Sequence, residues 1–331
     1  MEIKRSKMLA TGCFLLTGLF LIGFGSTVLH AAGSTYPDKP ITLIIPFTPG
    51  GAVDLSGRIL AEAMEKHLKQ PVVVVNKPGA SATIGGYALA SAKPDGYTLG
   101  FLPASGCVPE VFSFFFSAPY SSHDLRPICP VTILTQTITV KEDAPWSNLK
   151  ELVEFARKNP GLKYGHNGRN LLQYVAVATI ARAEKVTLVD VAFEGDAKQV
   201  PALLGGHISI ITPAFTSIKS LLAAKKVRAL AVLNQTRPDF LPDIPTLREL
   251  GYKVPHAAYT AFSAPRGTPD EIVNKLYEVV DKIRKDKDFQ NKNRKIDLLV
   301  SDEDPASYEK SRIELKESLQ TFFTEEGMVK K

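Results

Sequence analysis

Residues 41–76 read ITLIIPFTPGGAVDLSGRILAEAMEKHLKQPVVVVN. The apolar run Thr42–Pro46 predicts a β-strand that ends in a loop of proline and glycine. The helix predicted next has five apolar residues on one face, Leu55, Ile59, Ala63, Met64 and Leu68. Asp54 is its predicted cap, and Val72–Val75 has the continuous apolar pattern of a strand covered on both faces. This order of strand, helix and strand predicts an α/β fold with mostly parallel sheets.

The same alternation continues to the carboxyl terminus. Predicted strands include Tyr97–Phe101 and Val131–Val140. Near the end of the chain, Thr268-Pro269-Asp270-Glu271 has the pattern of a capping box, with Thr268 as the cap. Asp304-Pro305 predicts the start of a last long helix.

Composition and charge narrow the class of protein. The 331 residues are 44% hydrophobic and 22% charged, which is typical of a folded globular protein. The formal net charge is +6, and residues 1–32 hold three basic residues and one acidic residue, so the rest of the chain keeps +4. Such a small surplus does not indicate a surface for polyanions. We therefore expect no nucleic-acid partner.

Residues 1–32 have the pattern of a secretory signal peptide. Three basic residues fall within the first seven, an apolar core covers 14–24, and small residues follow at 31–33. No Asp, Glu, Lys or Arg occurs from Met8 to Tyr36, so an uncleaved membrane anchor is the alternative. Glycines dilute the apolar run, which favours cleavage and export.

Two cysteines remain after cleavage, Cys107 and Cys129. In an oxidising compartment they either form a disulfide or stay as two buried free thiols, and the sequence leaves both alternatives open. No Cys-x-x-Cys pair or Cys/His spacing suggests zinc, so we expect no metal and no cofactor.

Motifs of common enzymes and nucleotide-binding proteins are missing. The chain has no Gly-x-Ser-x-Gly elbow, no phosphate-binding loop and no His-Glu-x-x-His. Two distinctive loops instead follow predicted strands, at Thr48–Asp54 and Gly79–Thr83. Ligands of open α/β sheets bind at that edge, where helix amino termini favour anions. Ordinary turns between strand and helix are the alternative interpretation.

Seven longer stretches carry a family pattern in collinear order. They are YPDKPI (36–41), IPFTPGGAVD (45–54), QPVVVVNKPGA (70–80), KPDGYTL (93–99), NPG (159–161), LLGG (203–206) and APRGTP (264–269). In these stretches the chain resembles the receptors of tripartite tricarboxylate transporters, the TctC or Bug family. The resemblance spans essentially all of the mature chain. It implies a two-lobed periplasmic binding protein fold of type II, with a small carboxylate bound between two α/β domains.

The resemblance also implies where the domains and the ligand lie. We expect one domain of residues 36–136 plus 256–331 and another of 137–255, joined by crossing hinge strands. The implied site residues of the first domain are Phe47, Thr48, Gly50, Gly51, Ala52, Asp54, Ala80, Ser81, Ala104 and Ser105. Those of the second domain are His166, Asn167, Arg169, Phe193, Glu194, Gly195, Thr212 and Pro213. The first loop is expected to hold the carboxylate through backbone amides and ordered water.

The second domain departs from the family pattern. Phe193-Glu194-Gly195-Asp196 stands where the family usually has Tyr-Lys-Gly-Gly, which replaces a cation by an anion. Arg169 is either a bidentate partner of a ligand carboxylate or a surface charge. Glu194 either offsets that charge or accepts a hydrogen bond from a ligand amine or hydroxyl. These changes leave the identity of the ligand open.

The resemblance implies a periplasmic receptor that catalyses nothing. It would bind a small organic acid reversibly as a monomer and deliver it to the permease subunits of a membrane transporter. Two alternatives are a ligand-binding partner of a membrane sensor and a secreted hydrolase.

Overall fold

The computed structural model describes residues 36–110, 118–169, 171–193, 195–254 and 258–327. The predicted signal peptide and the predicted ligand residue Glu194 lie outside these ranges, and the side chain of Ser81 is not described. From Tyr36 onward the chain forms one compact unit. None of the helices in the described ranges combines the length and the apolar character needed to cross a membrane.

Strands and helices alternate through most of the chain. The strands are β1 Ile41–Ile45, β2 Val72–Asn76, β3 Thr98–Pro103, β4 Leu125–Leu134, β5 Thr137–Lys141, β6 Leu162–His166, β7 Leu188–Ala192, β8 Ile210–Ile211, β9 Val227–Val232, β10 Tyr259–Pro265 and β11 Leu298–Val300. The helices are α1 Ala52–Leu68, α2 Thr83–Ala90, α3 Ala104–Cys107, α4 Leu149–Lys158, α5 Leu172–Glu184, α6 Asp196–Leu204, α7 Phe215–Ala223, α8 Asp270–Lys285, α9 Lys287–Lys295 and α10 Pro305–Glu325.

The strands form two sheets. The first has the order β11-β4-β10-β3-β1-β2, and the second has the order β7-β6-β8-β5-β9. Helices flank both sheets, so the predicted α/β, two-lobed fold class is confirmed. The chain crosses between the sheets twice, from β4 to β5 and from β9 to β10.

Each sheet is mixed rather than mostly parallel. In the first sheet β1 runs parallel to β2 and β3, whereas β10 is antiparallel to β3 and β4. In the second sheet β6 runs parallel to β7 and β8, whereas β5 is antiparallel to β8 and β9. β10 and β5 each enter a sheet from the other one. They begin at the edge where the parallel strands end, so they must run the opposite way. The short strand β11 is antiparallel to β4 and runs in the same direction as β10.

The two cysteines are buried free thiols, the second of the two alternatives. Cys129 on β4 lies opposite Phe262 on β10, whereas the Cys107 Sγ lies 3.9 Å from the Oγ of Ser263, the next residue of β10. Adjacent strand residues point to opposite faces of a sheet. The two sulfur atoms therefore lie in separate apolar clusters on either side of the first sheet, where they cannot meet.

Candidate ligand-binding site

A cavity of about 640 Å³ lies between the two sheets. It is at the carboxyl ends of β1, β3 and β6, the edge at which α/β sheets bind ligands. Eight of the predicted site residues line it, namely Phe47, Thr48, Gly51, Ala52, Ala104, Ser105, Asn167 and Gly195. The structure thus brings residues from both predicted domains to one cavity.

The lining is neutral and largely apolar. Among the described residues that form the wall, none is Lys, Arg, Asp, Glu or His. The polar groups are the amides of Gln136, Asn167 and Gln173 and several hydroxyls. Leu134, Leu171, Leu172, Leu315 and Leu319 contribute apolar surface. A ligand here would have an apolar body and few polar ends.

Four helices of nine or more residues begin at this cavity, as does the four-residue helix α3 at Ala104. The wall includes Gly51 and Ala52 at the start of α1, Leu172 at the start of α5, Gly195 before α6 and Ala214 before α7. The first N–H groups of a helix have no partner inside the helix, and the helix dipole makes that end positive. Backbone dipoles therefore favour an anion in a cavity whose described side chains carry no charge.

Asp54 shapes the first loop from outside the cavity. Gly51, not Asp54, is the N-cap residue of α1, and Asp54 lies in the first turn, where its Oδ2 accepts a hydrogen bond from the Gly50 N–H at 2.9 Å. Burial acts to raise the pKa of Asp54, but hydrogen bonds from Arg58, Asn76 and Gly50 outweigh it and hold the pKa below its ordinary value. Gly50 and Asp54 thus fix the loop without lining the cavity.

Asn76, the last residue of β2, holds the first loop in place, and the sequence analysis did not predict this role. Its Nδ2 donates to the Phe47 carbonyl at 2.9 Å and to the Asp54 Oδ1 at 2.8 Å. It lies at the end of β2, beside β1, so it can tie the start of the loop to the start of α1. The sequence feature that could have indicated this role is the position of a polar residue directly after the apolar run Val72–Val75.

The second predicted loop of the first domain contributes no described side chain to the wall. Ala80 and Ser81 belong to a short 3₁₀ turn before α2, Ala80 does not line the cavity, and the side chain of Ser81 is not described. Ala104 and Ser105, which follow β3, take the place beside the first loop instead.

His166 and Arg169 both pair with Asp190 on β7. Arg169 donates to the two carboxylate oxygens from Nε at 2.8 Å and Nη2 at 2.9 Å, so its bidentate partner is a protein carboxylate. The side chain is 54% exposed and does not line the cavity. His166 is fully buried, its Nε2 lies 3.1 Å from Asp190, and its Nδ1 accepts the Gly168 N–H. Burial lowers the pKa of His166 despite the neighbouring carboxylate.

Three more predicted residues serve the second sheet rather than the wall. The Thr212 hydroxyl is buried and donates to the Gly165 carbonyl at 3.1 Å. The Pro213 carbonyl accepts the Thr137 N–H, and the Phe193 N–H donates to the His166 carbonyl. These hydrogen bonds connect neighbouring segments at one edge of the second sheet, and none of the three residues lines the cavity.

Asp196, the first residue of α6, connects much of the second wall. Its Oδ2 accepts hydrogen bonds from the Ala214 N–H at 2.8 Å and the Ser217 hydroxyl at 2.9 Å. Its Oδ1 accepts from the Asn167 side chain at 2.8 Å. Asp196 was noted as a departure from the family pattern, but its role in ordering the wall depends on partners distant in sequence.

Metal binding has no support in the structure. Within the described ranges, no group of three or more His, Cys, Asp or Glu side chains is arranged to hold a metal ion.

Comparisons with known proteins agree with the fold. Residues 57–314 match the model of the tripartite tricarboxylate transporter family receptor, TctC. A UPF0065 protein of Bordetella pertussis is 33% identical over 268 residues, which cover 79% of this chain and 81% of that protein.

Two solved structures extend the comparison. A TctC solute-binding protein from Polaromonas has a TM-score of 0.77 and 28% identity, covering 88% of this chain and all of that one. MatC from Rhodopseudomonas palustris, solved with bound malate, has a TM-score of 0.66 and 26% identity over 89% of this chain and all of that one.

Proposed function

Because the chain belongs to the tripartite tricarboxylate transporter receptor family, whose members are periplasmic solute-binding proteins and not enzymes, we propose that it binds a small carboxylate in the cavity between its two sheets. Binding is reversible, and the loaded receptor delivers its acid to the permease subunits of a membrane transporter. The protein works as a monomer after its signal peptide is removed.

The observation that carries this proposal is the meeting of the amino termini of α1, α3, α5, α6 and α7 at a cavity without a charged side chain in its described wall. Backbone N–H groups can hold a carboxylate without transferring a proton to it. No described side chain at the wall offers a base or a cationic acid for catalysis. Malate bound to the related MatC supports a small organic acid as the class of ligand.

Closure of two domains around the acid completes the proposal. Residues 36–136 plus 256–331 form one domain and 137–255 the other, with hinges at the two crossings between the sheets. Hinge closure is the usual response of two-lobed binding proteins, because the ligand adds contacts that only the closed state makes.

A thermal-shift screen over small carboxylates tests the binding claim. An acid at 100 times its dissociation constant adds about 2.7 kcal/mol to the free energy of unfolding, so a ligand should raise the melting temperature clearly. Primary amides of the same carbon skeletons are the matched controls and should leave it unchanged. If no carboxylate raises the melting temperature of ligand-free protein, the proposed function is wrong.

Gly51→Asp locates the site. A side chain at Gly51 meets only the Thr48 carbonyl, at 4.0 Å, and aspartate is a favourable N-cap residue, so folding should persist. The new carboxylate would occupy the N–H groups of α1 and repel the acid. Gly51→Asn adds the same shape without charge and is the control. Equal ligand affinity in both variants would place the carboxylate elsewhere.

Delivery to a permease needs a cellular test. Deleting the gene should abolish uptake of the acid found in the screen, and the wild-type gene should restore it. Unchanged uptake together with loss of a transcriptional response to the acid would favour the sensor alternative.

A further inference from the structure

The carboxylate of Asp196 lies directly behind the second wall of the cavity, hydrogen-bonded to residues that line it. Asp196 accepts the Ala214 N–H at 2.8 Å and the Ser217 hydroxyl at 2.9 Å through Oδ2. Through Oδ1 it accepts from Asn167 at 2.8 Å and from Gln199 at 3.5 Å. These four donors are neutral, so their hydrogen bonds leave the negative charge of the carboxylate in place.

Three of the four donors belong to residues of the cavity wall. Asn167, Ala214 and Ser217 all line the cavity, and Ala214 lies directly before α7. These are the groups that would bind a ligand carboxylate on this side. Because Asp196 accepts hydrogen bonds from them, the wall satisfies its own anion-binding groups from within the chain.

The first wall differs in this respect. Asp54 also lies in the first turn of a helix, but its partners Gly50, Arg58 and Asn76 do not line the cavity. Arg58 also forms an ion pair with Asp54 at 3.0 Å. The donors of Gly51 and Ala52 at the wall are therefore not consumed by Asp54 and stay open to an acid, whereas the Ala214 N–H before α7 is bound to Asp196.

An acceptor is also left open near the second wall. Gln136 lines the cavity, is 7% exposed, and has a side-chain Oε1 without a hydrogen-bond partner. It is bridged to Ala214, so it lies beside the donors that bind Asp196. A buried acceptor without a partner is destabilising, and a ligand donor would remove that cost.

From this asymmetry we propose that the ligand is a monocarboxylate whose far end carries a hydrogen-bond donor, such as a hydroxyl, amide or ammonium group, and that Asp196 excludes dicarboxylates. The carboxylate binds at α1, and the donor end faces Gln136 and the wall residues behind which Asp196 lies. Leucines between the walls contact the apolar part of the ligand. This inference rests on the proposed function and adds the class of acid to it.

Three acids of equal length test the proposal by calorimetry on ligand-free wild-type protein. They are ω-hydroxyhexanoate, ω-aminohexanoate and adipate, which differ only at one end. A second carboxylate facing Asp196 costs like-charge repulsion, so at least one of the first two acids should bind at least about tenfold more tightly than adipate.

Asp196→Asn assigns the effect to its residue. The amide removes the charge, so adipate should gain affinity and the difference between the acids should fall below about threefold. Asp243→Asn makes the same charge change at an exposed position away from the cavity and should retain the wild-type difference.

The outcomes separate this inference from the proposed function. Adipate binding as tightly as both other acids in the wild-type protein would overturn the inference and leave the receptor function intact. This comparison needs no variant, so a folding defect in Asp196→Asn does not remove it. Failure of all three acids and of every carboxylate in the thermal screen would overturn the proposed function as well.

Discussion

Asp54 links the stability of the protein to its binding loop. Its side chain is 1% exposed and accepts hydrogen bonds from Gly50, Arg58 and Asn76. Hydrogen bonds to a buried charged group contribute about 1.5–3 kcal/mol each. We predict that Asp54→Asn lowers the free energy of unfolding at pH 7 by about 2 kcal/mol and weakens binding of the acid. Urea unfolding and calorimetry measure the two effects.

The pH dependence gives this prediction a sign. The folded-state pKa of Asp54 lies below its ordinary value of 3.8, so the stabilisation is complete above that pH. It is lost as the pH falls through the folded-state pKa, and the difference between wild type and Asp54→Asn should shrink there. Arg58→Ala removes a 47% exposed partner and should cost less than about 1 kcal/mol. A larger loss from Arg58→Ala than from Asp54→Asn would contradict the role of the carboxylate.

The two cysteines offer a simple test of the sheet. Burial raises the pKa of both thiols, to about 12 for Cys129. Because only thiolates react readily, neither should react with a disulfide reagent such as Ellman's reagent in the folded mature protein. After unfolding without reductant, two thiols per chain should titrate. Finding none would mean that Cys107 and Cys129 are bridged, against the separation of their side chains by the first sheet.

Among the helices, the two predicted starts near the carboxyl terminus had different outcomes. Asp304 caps α10 as predicted and accepts hydrogen bonds from the N–H groups of Ala306 and Ser307. Thr268 does not cap α8, because its hydroxyl donates to the Pro265 carbonyl and Pro269 is the N-cap residue. A buried local partner outcompeted the capping box.

The confirmed cap supports a prediction for α10. Asp304→Ala should lower the free energy of unfolding, since two N–H groups lose their acceptor. Asp302→Ala, an exposed aspartate two residues before the cap, is the control and should have little effect. Thermal and urea unfolding measure both variants, and equal losses would show that the cap contributes nothing beyond its charge.

Helix faces were predicted only in part. Met64 and Leu68 of the expected face of α1 are buried, but Leu55 is 39% exposed. Gly57 lies against β1, where an added Cβ would come within 2.4 Å of the Ile45 side chain. Because Gly57 has no side chain, α1 approaches β1 closely there, and the face of α1 that contains Gly57 becomes the buried face. An apolar pattern gives the period of a helix, but it does not reveal where a strand packs closely.

Predicted site residues line the cavity where a loop follows a strand directly, and their contact with a ligand stays a prediction. Phe47, Thr48, Gly51 and Ala52, and Ala104 with Ser105, line it because the edge of a parallel sheet collects the ends of its strands. Arg169 does not line it, because its partner Asp190 comes from a neighbouring strand 21 residues later. Such pairs depend on strand register, which the sequence does not give. The neutral wall at Leu315 and Leu319 depends likewise on where α10 packs.

In the whole molecule, α10 and two ion pairs connect the elements around the first sheet to those around the second. Phe322 of α10 packs against Tyr174 of α5, with ring centroids 6.5 Å apart. Lys219 of α7 pairs with Asp297, just before β11, at 2.6 Å. Arg294 of α9 pairs with Asp239 and lies 5.0 Å over the Phe240 ring. Each of these contacts joins an element that belongs to the first sheet and its helices to an element that belongs to the second sheet and its helices.

The ion pairs are predicted to tune affinity more than stability. The Arg294–Asp239 pair is exposed and contributes up to about 1 kcal/mol, whereas Lys219 pairs with Asp297, whose side chain is only 11% exposed. The double variant Lys219→Ala, Arg294→Ala should lose some stability and still fold cooperatively. It loses contacts that hold the two sheets around the cavity, so more of the ligand's binding free energy must go into closing it. We expect an affinity about fivefold lower for the acid identified in the thermal screen, measured by calorimetry.

A matched variant separates closure from a general loss of charge. Lys66→Ala breaks an ion pair with Glu62 inside α1, on the first sheet's side alone, and should leave the affinity unchanged. Small-angle scattering on ligand-free protein should give a larger radius of gyration for the double variant than for Lys66→Ala, and excess acid should reduce that difference. Wild-type affinity in the double variant would mean that these contacts accompany the cavity without controlling it, which would leave α10 as the element that holds the two sheets together.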